Sequence, residues 1–105
     1  MKQMLNVEQS NYLVKLGCPS PKNTVNHTLG ELMKMLPKTL TVKDEEYYLH
    51  ILSNEDDWYI DYHNIREVLC MTFHPELVDA LFNMIDRLHQ KKIILMRTFY
   101  VEVDT

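Results

Sequence analysis

The stretch PELVDALFNMIDRLHQ, residues 75–90, decides the fold. Its apolar residues recur three and four positions apart, which is the spacing of one face of an α-helix. Pro75 suits the first turn of a helix, so we predict a helix over Pro75–Gln90. The apolar face holds Leu77, Val78, Leu81, Phe82, Met84, Ile85 and Leu88. The opposite, solvated face is predicted to hold Glu76, Asp79, Asn83, Asp86, Arg87 and Gln90.

Before this helix the period of the apolar residues changes to two, which is typical of strands. Short polar loops separate the β-rich runs, and the charged run Lys43–Glu46 is predicted to be the first of these turns. This pattern indicates an antiparallel meander. The predicted strands are Thr39–Val42, Tyr47–Leu52, Trp58–His63 and Val68–Phe73.

Two further helices are predicted in the first third of the chain. Asn6 suits an N-cap and Gly17 a left-handed C-terminal position, which defines a helical segment over about residues 6–17. Residues 18–27 form a connector. Thr28 and Glu31 match a capping box, and Pro37 stops the helix that follows, predicted over Thr28–Leu36.

Together these elements predict one α+β domain over residues 1–105. Its antiparallel sheet is a meander of three to five strands, packed on one side by two or three helices. The hydrophobic fraction of 46% is too high for a disordered chain. Three methionines, Met33, Met71 and Met84, are predicted to fill the core.

Composition argues against several classes of function. The net charge of -4 disfavours a nucleic-acid partner, because phosphate contacts need a basic surface. No apolar run approaches a membrane span, and we see no signal peptide, so we expect a cytoplasmic protein without a membrane partner. Cys18 and Cys70 are then expected to be free thiols, with Cys18 partly exposed. We expect no cofactor, because well-marked catalytic and phosphate-binding motifs are missing from the sequence.

The hairpin carries the candidate functional residues. If Ser53 pairs with Trp58, alternation of side chains places a half-polar set on one face of the sheet, away from the core. This candidate binding face holds Tyr48, His50, Tyr59, Asp61 and His63, with Leu52 beside them. Cross-strand contacts on a solvated sheet face are the simplest interpretation of this set.

Two kinds of chemistry remain open at this face. His50 and Asp61 have the composition of an oriented general base, and with His63 they have that of a zinc-type site. A small metal-dependent or His/Asp-based hydrolase is therefore the alternative function. Cys70 and His74 suggest a nucleophilic pair, but the strand around Cys70 has the pattern of a core strand.

The C-terminal segment, residues 93–105, offers two more hypotheses. Ile94–Val103 is predicted to be a last strand or an extended tail, able to add to a sheet edge of this chain or of a second copy. A basic cluster of Lys91, Lys92 and Arg97 is the only feature that favours a nucleic-acid-associated protein. It also fits the charge pattern of a helix C-terminus.

Three segments in this order, Val7–Gly17, Thr28–Lys38 and Val78–Ile85, resemble a group of short proteins from gut anaerobes and their phages or mobile elements. That group has no established activity, and the resemblance implies only fold class and compartment. Its members carry a longer segment between the first two helices than this chain does.

The leading hypothesis is a small, non-enzymatic interaction or accessory protein encoded by a mobile element. It would bind a protein partner or a second copy of itself through the face around Tyr48, His50, Tyr59 and His63. Tyrosine is enriched at protein interfaces, which favours this hypothesis over a small-molecule site.

Overall fold

The computed structural model describes residues 1–22 and 25–91 and forms one four-stranded antiparallel sheet with three helices. This confirms the predicted α+β class and the meander. The predicted last strand and the basic residues Lys92 and Arg97 lie outside the described residues. The elements are α1 (Val7–Leu16), α2 (Leu29–Met35), β1 (Thr39–Val42), β2 (Glu45–Ser53), β3 (Trp58–His63), β4 (Val68–His74) and α3 (Leu77–Gln90).

The strands pair in chain order, so β1 and β4 lie at the two edges of the sheet. The turn between β1 and β2 is shorter than the predicted Lys43–Glu46, because β2 already begins at Glu45. Lys43 and Asp44 have positive φ values of 51° and 67°. Two central residues in this left-handed region form the two-residue turn that matches the twist of a hairpin.

The core lies between α3 and one face of the sheet. Ile60 and Tyr62 on β3 are fully buried, as are Val78 and Leu81 on α3. The hydroxyl of Tyr62 donates a hydrogen bond of 2.6 Å to the carbonyl of Pro37, which satisfies its polar atom inside the core. The prediction that helices cover one side of the sheet is therefore confirmed.

Helix α3 begins at Leu77, so the prediction that it starts at Pro75 is wrong by two residues. Glu76 occupies the N-cap position, and its backbone N–H donates to Nδ1 of His74 at 2.9 Å. This local bond accompanies the extended backbone of Glu76, which precedes the first helical residue.

Asp79 was predicted to face solvent, and this is also wrong, since it is only 7% exposed. The N-terminal residues of the chain cover this side of α3. Its carboxylate accepts hydrogen bonds from Nε2 of Gln9 at 2.7 Å and from Nζ of Lys2 at 3.1 Å. We call this set the Asp79 cluster.

The two ends of the connector 18–27 are buried, which the sequence does not suggest. His27 is fully buried and its carbonyl accepts a hydrogen bond of 2.9 Å from the N–H of Leu5. Cys18 is buried as well, so the prediction of partial exposure is wrong. Its N–H donates to the carbonyl of Leu13 beyond the left-handed Gly17, which turns the chain inward.

Only one of the three methionines predicted for the core is buried. Met84 is fully buried on α3, whereas Met33 is 42% exposed and Met71 is 44% exposed. On β4 the side chains of Cys70 and Thr72 point into the core, so alternation sends Met71 to the other face.

Replacing Thr28 with alanine is expected to lower the free energy of unfolding by about 1 kcal/mol. The Thr28 hydroxyl accepts the N–H of Glu31, and the Glu31 carboxylate accepts the N–H of Thr28, which is the predicted capping box. Urea denaturation followed by circular dichroism measures the loss. Ser20→Ala, in an exposed position without a capping role, should change stability by less than about 0.5 kcal/mol.

Candidate functional site

The sheet face opposite α3 carries the predicted candidate residues in the predicted register. His50 lies directly opposite Asp61, Tyr48 opposite His63, and Leu52 opposite Tyr59. The hairpin sequence alone therefore places this set correctly.

Strand β4 extends this open face with residues that the hairpin pattern does not reveal. Phe73 lies opposite Tyr59, Met71 opposite Asp61, and Val68 opposite His63. An irregularity of register between Tyr62 and His63 shifts the last of these pairs. Both faces of β4 carry apolar residues, so its sequence does not show which of them lie on the open face. The pairing of β4 with β3 does show it.

Asp61 is the unusual residue of the open face, because it is only 3% exposed. Tyr59 donates its hydroxyl to Oδ2 at 2.5 Å, and Nδ1 of His63 lies 2.7 Å from Oδ1. Nδ1 of His50 lies 3.9 Å from the same Oδ1. The expectation of a simply solvated face is therefore wrong for Asp61, whose neighbours cover it and satisfy its oxygens.

The Tyr59 hydroxyl is a fixed donor in this cluster. The hydrogen bond to Asp61, together with burial and the nearby negative charge, raises the pKa of Tyr59 to about 12. The hydroxyl therefore keeps its proton at neutral pH and continues to donate to Asp61.

The two imidazoles flank Asp61 and remain accessible. Their side chains are 44% exposed for His50 and 39% exposed for His63. The ring centroids lie 5.2 Å apart in an edge-on arrangement. A carboxylate between two imidazoles can fix a tautomer, hold a proton or share a metal ion with them.

The three groups converge in a wide and shallow depression of the sheet face. The turn after β3 forms one wall, with Asn64 and Arg66 among its lining residues. Sites for small substrates are usually concave and enclose most of the ligand. This depression resembles a surface for contact more than a cleft for a substrate.

Exposed apolar side chains surround Asp61 and its neighbours Tyr59, His50 and His63. They are each between 44% and 51% exposed, which is unusual for so many large apolar groups on one face. The Phe73 ring packs against Tyr59 with a centroid distance of 5.0 Å, which links the two sets. We call these residues the apolar rim: Tyr48, Leu52, Val68, Met71 and Phe73.

Cys70 is not a member of the open face. Its thiol is buried, and Sγ lies 3.5 Å from Sδ of Met84. Burial raises the pKa of the Cys70 thiol, which disfavours the thiolate that a nucleophile needs. His74 lies at the other end of β4, where its Nδ1 accepts the N–H of Glu76, so the structure does not bring the two together.

Of the predicted basic cluster, only Lys91 lies within the described residues. Its Nζ donates to the carbonyl of Leu69 at 3.3 Å. Lys91 lines a groove between β4 and α3 together with Arg87 and Asp86, so the charges there are of mixed sign.

Comparisons of the chain with protein-family models, with curated proteins and with solved structures found no match. In the part of the chain that the structure describes, no helix is long and apolar enough to cross a bilayer. Any assignment of function therefore depends on the geometry of the open face.

Proposed function

We propose that the chain is a small, non-enzymatic interaction protein whose open sheet face binds a protein, either a partner or a second copy of the chain. The observation that supports this most is the apolar rim. Large apolar side chains gathered on one face mark contact surfaces, because leaving them in water costs about 25 cal/mol for each Å².

The polar centre of the face suits the same role. Stable interfaces combine a well-packed apolar contact with polar groups that are already hydrogen-bonded, so that few donors are left unsatisfied. Asp61 already accepts hydrogen bonds from Tyr59 and His63 within the chain. A protein that docks over Asp61 would not have to supply a new hydrogen-bond donor for its carboxylate.

The hydrolase alternative has weaker support. Its acid–base residues would be Asp61 and the two histidines, but the shallow depression encloses little substrate. The biological setting that we propose is suggested by where the resembling proteins occur and not by any activity of theirs: an accessory protein of a mobile element, acting in the cytoplasm of a gut anaerobe on a host or phage protein.

Removing two members of the apolar rim is expected to weaken association by at least about tenfold, since central aromatic residues dominate interface energies. Tyr48→Ala with Phe73→Ala removes two side chains of the rim and keeps Asp61 with its neighbours Tyr59, His50 and His63. Sedimentation velocity measures self-association, and pull-down from the native cell with identification and quantified rebinding of the captured protein measures partner binding.

The matched control is Val7→Ala with Val14→Ala, which removes two exposed apolar residues from α1 instead. This variant should associate like the unmodified protein. Equal weakening in both double variants would contradict the proposal. So would an unmodified protein that stays monomeric and rebinds no captured protein at a fixed ratio.

A further inference from the structure

The centre of the open face gathers three metal-ligating groups from two neighbouring strands. One donor atom from each of His50, Asp61 and His63 lies within 4.8 Å of the other two. We propose that these residues form a binding site for one divalent metal ion of the zinc class. Two imidazoles with one carboxylate are a ligand set that zinc and neighbouring first-row metals accept.

The backbone itself brings the ligands together. His50 on β2 lies directly opposite Asp61 on β3, and His63 follows Asp61 by two residues on the same strand. Facing positions and alternate positions of paired strands project to the same side. The ligands therefore lie on the two central strands of the sheet, where they are held more firmly than on loops.

The present distances are close to those that a metal requires. Ligand atoms of a tetrahedral zinc ion are about 3.4 Å apart, given bonds of about 2.1 Å. Nδ1 of His63 lies 2.7 Å from Oδ1 of Asp61, and Nδ1 of His50 lies 3.9 Å from it. The first pair must separate and the second approach, each by less than about 1 Å. The donor atoms of the two histidines lie within 4.8 Å of each other and must approach by up to about 1.4 Å. Both imidazoles are exposed enough to rotate by this amount.

The charges of the site favour a cation. Asp61 is buried, and among the described residues its only ion-pair partners are His50 and His63. No lysine or arginine of the described part of the chain forms an ion pair with it. A buried carboxylate needs compensation, and a divalent ion between the imidazoles would add to the hydrogen bond that Tyr59 already donates to it.

Tyr59 supplies the outer support that metal sites usually have. Its hydroxyl donates to Oδ2 of Asp61, which leaves Oδ1 directed at the two histidines. Outer hydrogen bonds of this kind orient the ligating carboxylate and strengthen metal binding. Three protein ligands leave one position of a tetrahedral ion for water, facing the open depression.

Calorimetric titration of the metal-free protein with zinc chloride tests the site. We expect one zinc ion per chain, and cobalt in its place should give the visible absorption bands of a tetrahedral complex. Asp61→Asn and His63→Gln should each weaken zinc binding by more than tenfold. Tyr59→Phe should weaken it by about tenfold, since it removes only the outer hydrogen bond.

His89→Gln is the matched control, because His89 lies on α3 away from the open face, and it should bind zinc normally. Absence of saturable zinc binding by the unmodified protein would overturn the proposal, as would binding that persists in both His50→Gln and His63→Gln. If Asp61→Asn does not fold, the variants of these two half-exposed histidines still test the site. Sedimentation and rebinding measured with and without a chelator separate the two proposals: protein that binds no zinc can still associate, and protein that does not associate can still bind zinc.

Discussion

Leu81→Ala is expected to lower the free energy of unfolding by about 2–5 kcal/mol, the range measured for large-to-small changes in protein cores. Leu81 is fully buried on α3, the helix that covers the sheet. Truncation removes apolar contacts and leaves a cavity that the sheet cannot collapse to fill. Since small domains are stable by only about 5–15 kcal/mol, a large share of the total would be lost.

Urea denaturation, followed by circular dichroism and by the fluorescence of Trp58, measures this loss. Met33→Ala is the matched control, because it truncates a large apolar residue on a helix at a position that is 42% exposed. It should cost less than about 1 kcal/mol. If the two variants were equally stable, α3 would not form the core that the apolar pattern and the structure assign to it.

The elements that the sequence predicted well depend on local rules. Helix α3 follows from its apolar spacing, and the register of the β2–β3 hairpin follows from its loop length. The N-cap at Asn6 and the capping box at Thr28 depend on residues only three positions apart. Such features need no knowledge of how distant segments meet.

The error at Asp79 arises where distant segments meet. The helical pattern places Asp79 on a solvated face, but Lys2 and Gln9 cover it from 77 and 70 positions away in the chain. Cys18 is also buried, because the chain turns inward after Gly17. No periodicity within a helix or a loop encodes these contacts.

In the candidate site, too, some features were predictable from local sequence and others were not. The placement of His50, Asp61 and His63 on one face was predictable from alternation across a hairpin. The burial of Asp61 was not, because it depends on how the neighbouring side chains fold over the carboxylate. The contribution of Met71 was also missed, because its position opposite Asp61 requires the register of β4.

Asp79→Asn is expected to lower the free energy of unfolding by about 1.5–3 kcal/mol at neutral pH, the range for hydrogen bonds to a charged group. Burial alone would raise the pKa of Asp79. The hydrogen bonds from Gln9 and Lys2 and the nearby charges of Lys2 and His74 outweigh burial and lower the pKa of the carboxyl. The ionised form is therefore the one that the folded protein stabilises.

The sign of the pH dependence follows from this lowered pKa. A carboxyl with a lower pKa in the folded state contributes its full stability above the unfolded value of about 4, and loses it as the pH falls through the folded value. The stability difference between the unmodified protein and Asp79→Asn should therefore shrink in acid. Urea denaturation at a series of pH values measures it, and Asp56→Asn, in the exposed loop, is the control that should show little difference.

A double-mutant cycle with Gln9→Ala tests whether this stability comes from the contact between α1 and α3. Because Nε2 of Gln9 lies 2.7 Å from Oδ1 of Asp79, the two substitutions should be coupled by about 0.5–3 kcal/mol. Additive effects would mean that Asp79 acts through its other neighbours, Lys2 and His74. A difference that stays constant with pH would mean that its charge plays no part. Coupling that disappears in acid would show that the charge of Asp79 holds the N-terminal helix against the helix that decides the fold.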